Sequence, residues 1–400
     1  MLLSAVLFCV AADWPQFRGP NADGRAVGVV TPIEWSDTKN VAWKVRVPGL
    51  GWSSPVVVGD RAFLTTAVKQ GEGISLRALA LDARNGEVVW DREVRAVPKA
   101  PAIHTKNSHA SPTPIVAGGA VYVHFGTQGT AKLDADNGAI VWLCTELHYQ
   151  PLHGGGGSPI LHDGKLVVVC DGSVDPFVAA LDAATGKIAW KTPRSVKPKI
   201  SHSFVTPTVA VVAGQAQVLA PGPDRFAAFD LADGKELWHV DGVGYSVVPQ
   251  PALGHGLVIY NRDYDNPELI AVRLGGSGDV AESHVVWREK RGAPSTPSPL
   301  LVGDELYVVS DKGIASCLDV RTGKRHWTER LPGNYSASPI FVNERILFLN
   351  ETGVATWVKP GKKFASLGKN TVTGATLATP AFVDGAMYLR TDEHLYKIAN

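Results

Sequence analysis

The chain has 400 residues, of which 45% are hydrophobic and 19% charged, and its formal net charge at pH 7 is +1. A charge balance so close to zero excludes a general affinity for nucleic acid or for membrane surfaces. With 41 glycines, 27 prolines and no helical periodicity, the sequence is typical of many short strands joined by turns.

The N-terminus resembles an export signal. Residues 2–12 form an apolar stretch that ends in small residues, which predicts a signal peptide over residues 1–12 and a mature chain beginning at Asp13. This stretch is too short to span a bilayer, and no later segment is long and apolar enough. We therefore expect an exported protein, periplasmic or secreted, without a transmembrane segment.

One pattern recurs with fixed spacing: Asp, then Gly four residues later, then Trp after four more. Asp182, Gly186 and Trp190 are an example, and the others begin at Asp82, Asp134, Asp230 and Asp319. The pattern predicts a β-hairpin in which Asp caps the turn and Gly supplies its positive φ. A large aromatic ring once per repeat is best explained as a packing device. We predict that the five tryptophans of this pattern, together with Trp43 of a spare N-terminal strand and Trp287 of a degenerate repeat, dock adjacent repeats: Trp43, Trp90, Trp142, Trp190, Trp238, Trp287 and Trp327.

A second element precedes each hairpin, namely Ser or Thr followed by Pro and two apolar strands. It begins at Ser54, Thr113, Ser158, Thr206, Ser298, Ser338 and Thr379, with Gln250 as a variant. Two strands after each Pro and two around each Asp-Gly turn make a four-stranded blade. The sequence therefore predicts an all-β fold, an eight-bladed β-propeller of four-stranded antiparallel blades.

The last repeat stops after its third strand, residues 394–400, while a spare strand containing Trp43 lies at residues 41–47. Pairing these two strands closes the ring and removes its exposed edges. We therefore expect an N-terminal strand to complete the last blade. The predicted organisation is a signal peptide (1–12), an N-terminal extension (13–40) and the propeller (41–400).

The form Ala-x-Asp-x-x-Thr-Gly-x-x-x-Trp at Ala180 to Trp190 resembles the repeat of the pyrroloquinoline-quinone (PQQ)-binding-like β-propeller family. The opening Trp14-Pro15-Gln16-Phe17-Arg18-Gly19-Pro20 and the segment from Gly333 to Pro339 are similar to a secreted bacterial subfamily. Its more distant relatives are quinoprotein alcohol dehydrogenases and the propeller lipoprotein of the outer-membrane β-barrel assembly machinery. Because enzymes and scaffolds share the repeat, the resemblance implies the fold and leaves the function open.

In a propeller, the loops before the innermost strands and those between the second and third strands meet at one mouth of the channel. These loops are rich in His, Tyr and charged residues, which predicts a binding funnel. The candidates are Trp52, Asn107, His109, His153, His202, Tyr245, Arg262, Lys312 and Tyr335. The alternative is that these side chains are solvated or only brace neighbouring loops.

The leading hypothesis is a non-catalytic binding or scaffolding propeller of the bacterial envelope. Its partner would be an envelope protein, a glycan or a small molecule, and we expect a monomer that binds no nucleic acid, no metal and no cofactor. The alternative is a PQQ- and calcium-dependent oxidoreductase. In that class an adjacent cysteine pair and a Trp enclose the quinone, but this sequence has no adjacent cysteines and no matching calcium-ligand motif.

Overall fold

The computed structural model describes residues 13–196 and 200–400, so the predicted signal peptide lies outside the described residues. Strands make up nearly all of the regular structure. The first half contains β1 (Arg25–Ala26), β2 (Val41–Arg46), β3 (Val56–Val58), β4 (Arg61–Gln70), β5 (Gly73–Asp82), β6 (Val88–Val97), β7 (Ile115–Ala117), β8 (Ala120–His124), β9 (Thr130–Asp134), β10 (Ile140–Cys144), β11 (Ile160–His162), β12 (Lys165–Cys170), β13 (Phe177–Asp182), β14 (Ile188–Pro193), β15 (Thr208–Val212), β16 (Gln215–Gly222), β17 (Arg225–Asp230) and β18 (Glu236–Asp241).

The second half continues the same pattern. It contains β19 (Ala252–Gly254), β20 (Leu257–Arg262), β21 (Glu268–Arg273), β22 (Gly278–Asp279), the short helix α1 (Ala281–His284), β23 (Val285–Glu289), β24 (Leu300–Val302), β25 (Glu305–Val309), β26 (Ile314–Asp319), β27 (Arg325–Arg330), β28 (Ile340–Val342), β29 (Arg345–Leu349), β30 (Val354–Val358), β31 (Ser366–Thr371), β32 (Ala381–Val383), β33 (Ala386–Arg390) and β34 (His394–Ile398). A 3₁₀ turn at Gly126–Gln128 links β8 to β9. Within residues 13–196 and 200–400, no helix is long and apolar enough to cross a membrane.

Eight sheets form the predicted eight-bladed propeller. Blades 1 to 4 are β3–β6, β7–β10, β11–β14 and β15–β18. Blade 5 consists of β19, β20, β21 and β23, and blades 6 and 7 are β24–β27 and β28–β31. In blade 8, β2 pairs antiparallel with β34, with Val41 opposite Ile398 and Arg46 opposite His394. The prediction that an N-terminal strand completes the last blade is confirmed.

The Asp-Gly turns have the expected local chemistry. At the β13–β14 turn, Asp182 accepts hydrogen bonds from the backbone N–H groups of Ala184 and Thr185 and from the Thr185 hydroxyl. These hydrogen bonds to Thr185 lower the pKa of Asp182. Gly186 adopts a φ of +74°, a conformation that glycine reaches without steric cost.

Five of the seven docking tryptophans pack on the Asp-Gly turn of the next blade. A Cβ on Gly186 would lie 2.5 Å from the Trp142 ring, and one on Gly234 would lie 2.5 Å from the Trp190 ring. The indole N–H of Trp190 also donates to the Leu231 carbonyl at 2.9 Å. Trp43, Trp90, Trp142, Trp287 and Trp327 donate in the same way to a carbonyl of the following blade. All seven predicted docking tryptophans are buried except Trp142, which is half-buried.

Trp238 departs from this scheme because blade 5 lacks the Asp-Gly turn. Its indole donates instead to Gln217 within its own blade, and its ring packs beside Phe226 in a core cluster that includes Val280 of the insertion. The insertion adds β22 in parallel to β18. It thereby covers the outer edge of blade 4.

The N-terminal extension crosses one end of the central channel. Trp14 exchanges backbone hydrogen bonds with Val57 of β3, and Arg18 donates to the Pro299 carbonyl of blade 6. Beyond them, β1 pairs in parallel with β28 of blade 7. Since these contacts span blades 1, 6 and 7, the segment of residues 14–26 forms a floor across the channel.

Candidate functional site

The Ser/Thr-Pro elements are joined by hydrogen bonds that run around the channel. The backbone N–H of Ser54 donates to the Thr113 hydroxyl of the next blade at 3.0 Å, and the N–H of Thr113 donates to the Ser158 hydroxyl at 2.9 Å. The same bond joins Ser158 to Thr206, Gln250 to Ser298, Ser298 to Ser338, and Ser338 to Thr379. We call these eight residues the belt. Gln250, which has no hydroxyl, and Ser54 take part only as donors.

The other end of the channel is crossed by residues 98–111, between β6 and β7, which we call the strap. The Asn107 amide donates to the His153 carbonyl of the loop that leads into blade 3, at 2.8 Å. Lys106 forms an ion pair with Glu351 in the β29–β30 loop of blade 7, at 2.8 Å. Blades 3 and 7 are four positions apart in a ring of eight, so the strap bridges opposite sides of the mouth.

A cavity of about 400 Å³ lies between the floor and the strap, and we call it the chamber. Phe17 of the floor closes one end, and seven of the eight belt residues line the wall. The strap-side lining includes Trp52, His104, Lys106, Asn107, His153, Phe204, Tyr245, Tyr264 and Asp265. This volume lies within the range of small-ligand sites, about 300–1,000 Å³.

Aromatic and imidazole rings are packed together at the strap-side mouth. The ring centroid of His153 lies 5.2 Å from that of His104 and 5.3 Å from that of His202, which in turn lies 5.6 Å from that of Tyr245. Burial and the neighbouring His104 lower the pKa of His153, and burial and His153 lower that of His202. His153 and His202 are therefore neutral at pH 7.

The charged groups of the chamber are held by neighbouring side chains. Lys106 bonds to Glu351, and Tyr245 donates its hydroxyl to Asp265. Burial lowers the pKa of Lys106, but its hydrogen bond and ion pair with Glu351 outweigh burial, so the net shift is upward. Lys106 and Asp265 are the lysine and the carboxylate that line the chamber, and because Lys106 is paired with Glu351, no unpaired lysine or arginine faces the chamber in the described structure.

Four of the sequence candidates line the chamber: Trp52, Asn107, His153 and Tyr245. His202 is buried directly behind them, in contact with the rings of His153 and Tyr245. Their role in binding remains a prediction.

The other four candidates lie elsewhere, which corrects the expectation of a common funnel. Tyr335 is fully buried, because its ring packs in a core cluster with Tyr307 and Phe348. Arg262 is held by an ion pair with Glu268. His109 is half-buried in the strap without lining the chamber, and Lys312 is exposed on an adjacent groove.

Sequence reasoning missed the belt hydroxyls, Phe17, His104 and Lys106 as lining residues. The hydroxyls had a signal, since Ser or Thr recurs at the same place in seven repeats, but this was interpreted only as the start of a strand. For His104 and Lys106 there was no such signal. Which strap residues face the channel depends on contacts with distant blades.

The family model described as "Outer membrane protein assembly factor BamB" matches residues 25–145, 79–275 and 279–362. The chain belongs to this family. Among curated members, BamB of Moranella endobia (strain PCIT) is 21% identical over 295 residues, which cover 72% of this chain and 67% of that protein. The solved BamB structure from Moraxella catarrhalis matches with a TM-score of 0.60 at 14% identity, over 90% of this chain and 97% of that one.

Dehydrogenases are also similar to this BamB-family chain. A polyvinylalcohol dehydrogenase of Pseudomonas sp is 30% identical over 166 residues, which are 38% of this chain and 24% of that protein. The chain thus matches about a quarter of the length of that enzyme. A europium-containing methanol dehydrogenase has a TM-score of 0.68 at 12% identity, over 96% of this chain and 90% of that one. At such identities the structural matches establish the propeller fold alone.

The residues of the chamber do not fit a quinone bound with calcium. Such a cofactor needs cations for its carboxylates and several charged oxygen ligands for the metal, whereas the lysine of the lining, Lys106, is already paired with Glu351 and a single carboxylate, Asp265, lines the chamber. Cys144, Cys170 and Cys317 are free thiols buried away from the chamber.

Metal-ligating side chains come together elsewhere, on the outer face of blade 4. In the part of the chain that the structure describes, the one group of three such residues close enough to share an ion is His239, Asp241 and Asp279. Arg225 already forms a two-pronged hydrogen bond with Asp241, so this group is partly neutralised.

Proposed function

We propose that this BamB-family protein is an exported, non-catalytic binding propeller of the bacterial envelope, which holds its ligand in the chamber beneath the strap. The observation that carries the proposal is the chamber itself. Aromatic and imidazole rings close its strap end, Ser and Thr hydroxyls line its wall, and its lysine is already paired with Glu351. Such a surface holds a ligand through shape and hydrogen bonds.

The belt hydroxyls are placed to bind and not to attack. Each of the six acceptor hydroxyls takes a hydrogen bond from a backbone N–H of the preceding blade. Activation of a hydroxyl as a nucleophile needs an adjacent base. In the described chain, none of these six is hydrogen-bonded to an imidazole or a carboxylate.

The similarity to dehydrogenases suggests an alternative function, namely oxidation of an alcohol with PQQ and calcium. The two functions are separated by reconstituting the purified mature protein with PQQ and calcium and measuring alcohol-dependent dye reduction. We expect no turnover and no rise in unfolding temperature with the cofactor. Alcohol-dependent turnover that requires the quinone would overturn the proposal.

Export is tested separately by fractionating cells that express the full chain. We expect the protein in the periplasm or the medium, and retention in the cytoplasm after deletion of residues 2–12. A full-length protein that stays cytoplasmic contradicts the envelope assignment.

A further inference from the structure

The belt leaves a set of hydroxyl hydrogens without acceptors. A Ser or Thr hydroxyl has one hydrogen to donate and two lone pairs to accept. In Thr113, Ser158, Thr206, Ser298, Ser338 and Thr379, a lone pair is used by the backbone N–H of the preceding blade. Across residues 13–196 and 200–400, none of these six donates to a protein atom. Their hydrogens are therefore available to whatever occupies the chamber.

Trp52 adds another donor to this wall. It lines the chamber beside the belt, and its indole nitrogen is buried without an acceptor in the described structure. A buried donor left without a partner costs about 1–3 kcal/mol, so such groups normally meet a ligand or a water. The docking tryptophans differ, because their indoles all donate to protein atoms.

The aromatic side chains indicate which surfaces of a bound ligand are apolar. Phe17 closes the floor end, while Phe204, Tyr245 and Tyr264 lie toward the strap. Apolar rings above and below a polar wall fit a ligand with apolar faces and a polar rim. Because Lys106 is paired with Glu351, the chamber offers no unpaired lysine or arginine to an anionic ligand, and the Asp265 carboxylate, which accepts from the Tyr245 hydroxyl, repels one.

We propose that the chamber binds a neutral mono- or disaccharide. A pyranose ring presents C–H faces to aromatic rings and hydroxyl and ring oxygens around its rim. Those oxygens accept hydrogen bonds from the belt and from Trp52, and sugar hydroxyls donate to the remaining lone pairs of the belt. This inference rests on the proposed function and names the ligand class of the same site.

The test uses the purified mature protein with glucose, N-acetylglucosamine, cellobiose, chitobiose and trehalose at millimolar concentration. Binding is followed by tryptophan fluorescence and saturation-transfer NMR. We expect saturable binding of at least one of these sugars and a rise in unfolding temperature. If none of the five binds saturably, the saccharide inference is wrong.

Two variants test whether the sugar binds in the chamber. Trp52→Phe keeps an aromatic ring but removes the indole donor, and should weaken binding about tenfold. Ser54→Ala removes a wall hydroxyl that accepts no belt hydrogen bond, and should weaken binding with little effect on stability. The matched control is Trp142→Phe, whose indole bonds to Ala183 away from the chamber and whose loss should leave affinity unchanged. Wild-type affinity in both chamber variants would also overturn the inference.

Two further ligands show whether a negative result contradicts only the saccharide inference or also the proposed function. Binding of glucuronate but of no neutral sugar would overturn the neutral ligand while leaving a binding propeller intact. Alcohol oxidation with PQQ and calcium would overturn the proposed function together with the inference.

Discussion

Lys106 and Glu351 form an ion pair across the mouth of the channel, and Ser336 donates a further hydrogen bond to the same Glu351 carboxylate. The Glu351 side chain is well shielded, and its bond to Lys106 anchors the strap to blade 7. On the opposite side, Asn107 anchors it to blade 3. The strap is therefore a bridge with two attachment points rather than a loose loop.

Removing the Lys106 charge should release the strap from blade 7. In Lys106→Met we expect faster amide hydrogen exchange in residues 103–109, because local opening no longer requires breaking the ion pair. Lys312→Met is the matched control, since Lys312 lies in the adjacent groove with an exposed side chain. Equal exchange in the two variants would show that the ion pair does not hold the strap.

Two separate constraints favour glycine in these turns: a positive φ and close contact with a tryptophan ring. Gly186 is subject to both. Gly186 (φ +74°) lies against Trp142, whereas a Cβ on Gly164 (φ +71°) would meet no other atom within 4 Å. Gly164→Ala should cost about 1–2 kcal/mol of unfolding free energy for the left-handed backbone. Gly186→Ala should cost about 1–3 kcal/mol more for displacing the ring. Equal losses in urea unfolding would mean that the Trp142 contact is unimportant.

Arg194 and Asp171 form a buried ion pair in blade 3. Two nitrogens of the guanidinium donate to the two carboxylate oxygens, each at 2.8 Å, and both side chains are at most 2% exposed. Arg194→Met should cost about 3–5 kcal/mol, because Asp171 stays buried without its counter-charge. Adding Asp171→Leu should recover much of that loss. A double variant no more stable than the single one would contradict this explanation.

His124 makes stability depend on pH. Burial lowers its pKa from 6.5 to about 4, and its ring contacts the Thr130 hydroxyl. The unfolded chain binds the proton more readily, so His124 causes stability to fall as pH drops from about 6.5 toward 4, by about 3 kcal/mol in all. His124→Gln should flatten urea-unfolding free energies over this range relative to wild type. An unchanged pH slope would exclude His124 as the cause.

The blades could be predicted because their signals are local. The spacing of Asp182, Gly186 and Trp190 defines a hairpin within one stretch of chain, and its repetition gives the number of blades. Even the closing strand followed from an incomplete repeat and a spare one. Each inference needed only strand and turn chemistry.

The site was harder to predict because it is assembled from contacts between distant segments. His104 faces the chamber, whereas His109 in the same loop does not, and the difference arises from how the strap bonds to blades 3 and 7. Phe17 reaches the chamber because the N-terminal extension crosses the floor. Tyr335 precedes an innermost strand, as a mouth residue does, yet its ring packs in the core with residues of distant strands such as Tyr307 and Phe348. None of these arrangements is encoded in the spacing of a single repeat.

The belt has a direction, since each of its bonds runs from a backbone N–H to the hydroxyl of the blade that follows. Each Ser/Thr-Pro unit joined in this way therefore offers a backbone N–H donor to the blade that follows and a hydroxyl acceptor to the blade that precedes it. Duplication or removal of a whole blade would preserve this coupling wherever both neighbours keep the hydroxyl. Gln250 supplies the N–H donor to blade 6 but has no hydroxyl to accept from blade 4. The blade that begins at Gln250 is therefore not interchangeable with the others at the junction between blades 4 and 5.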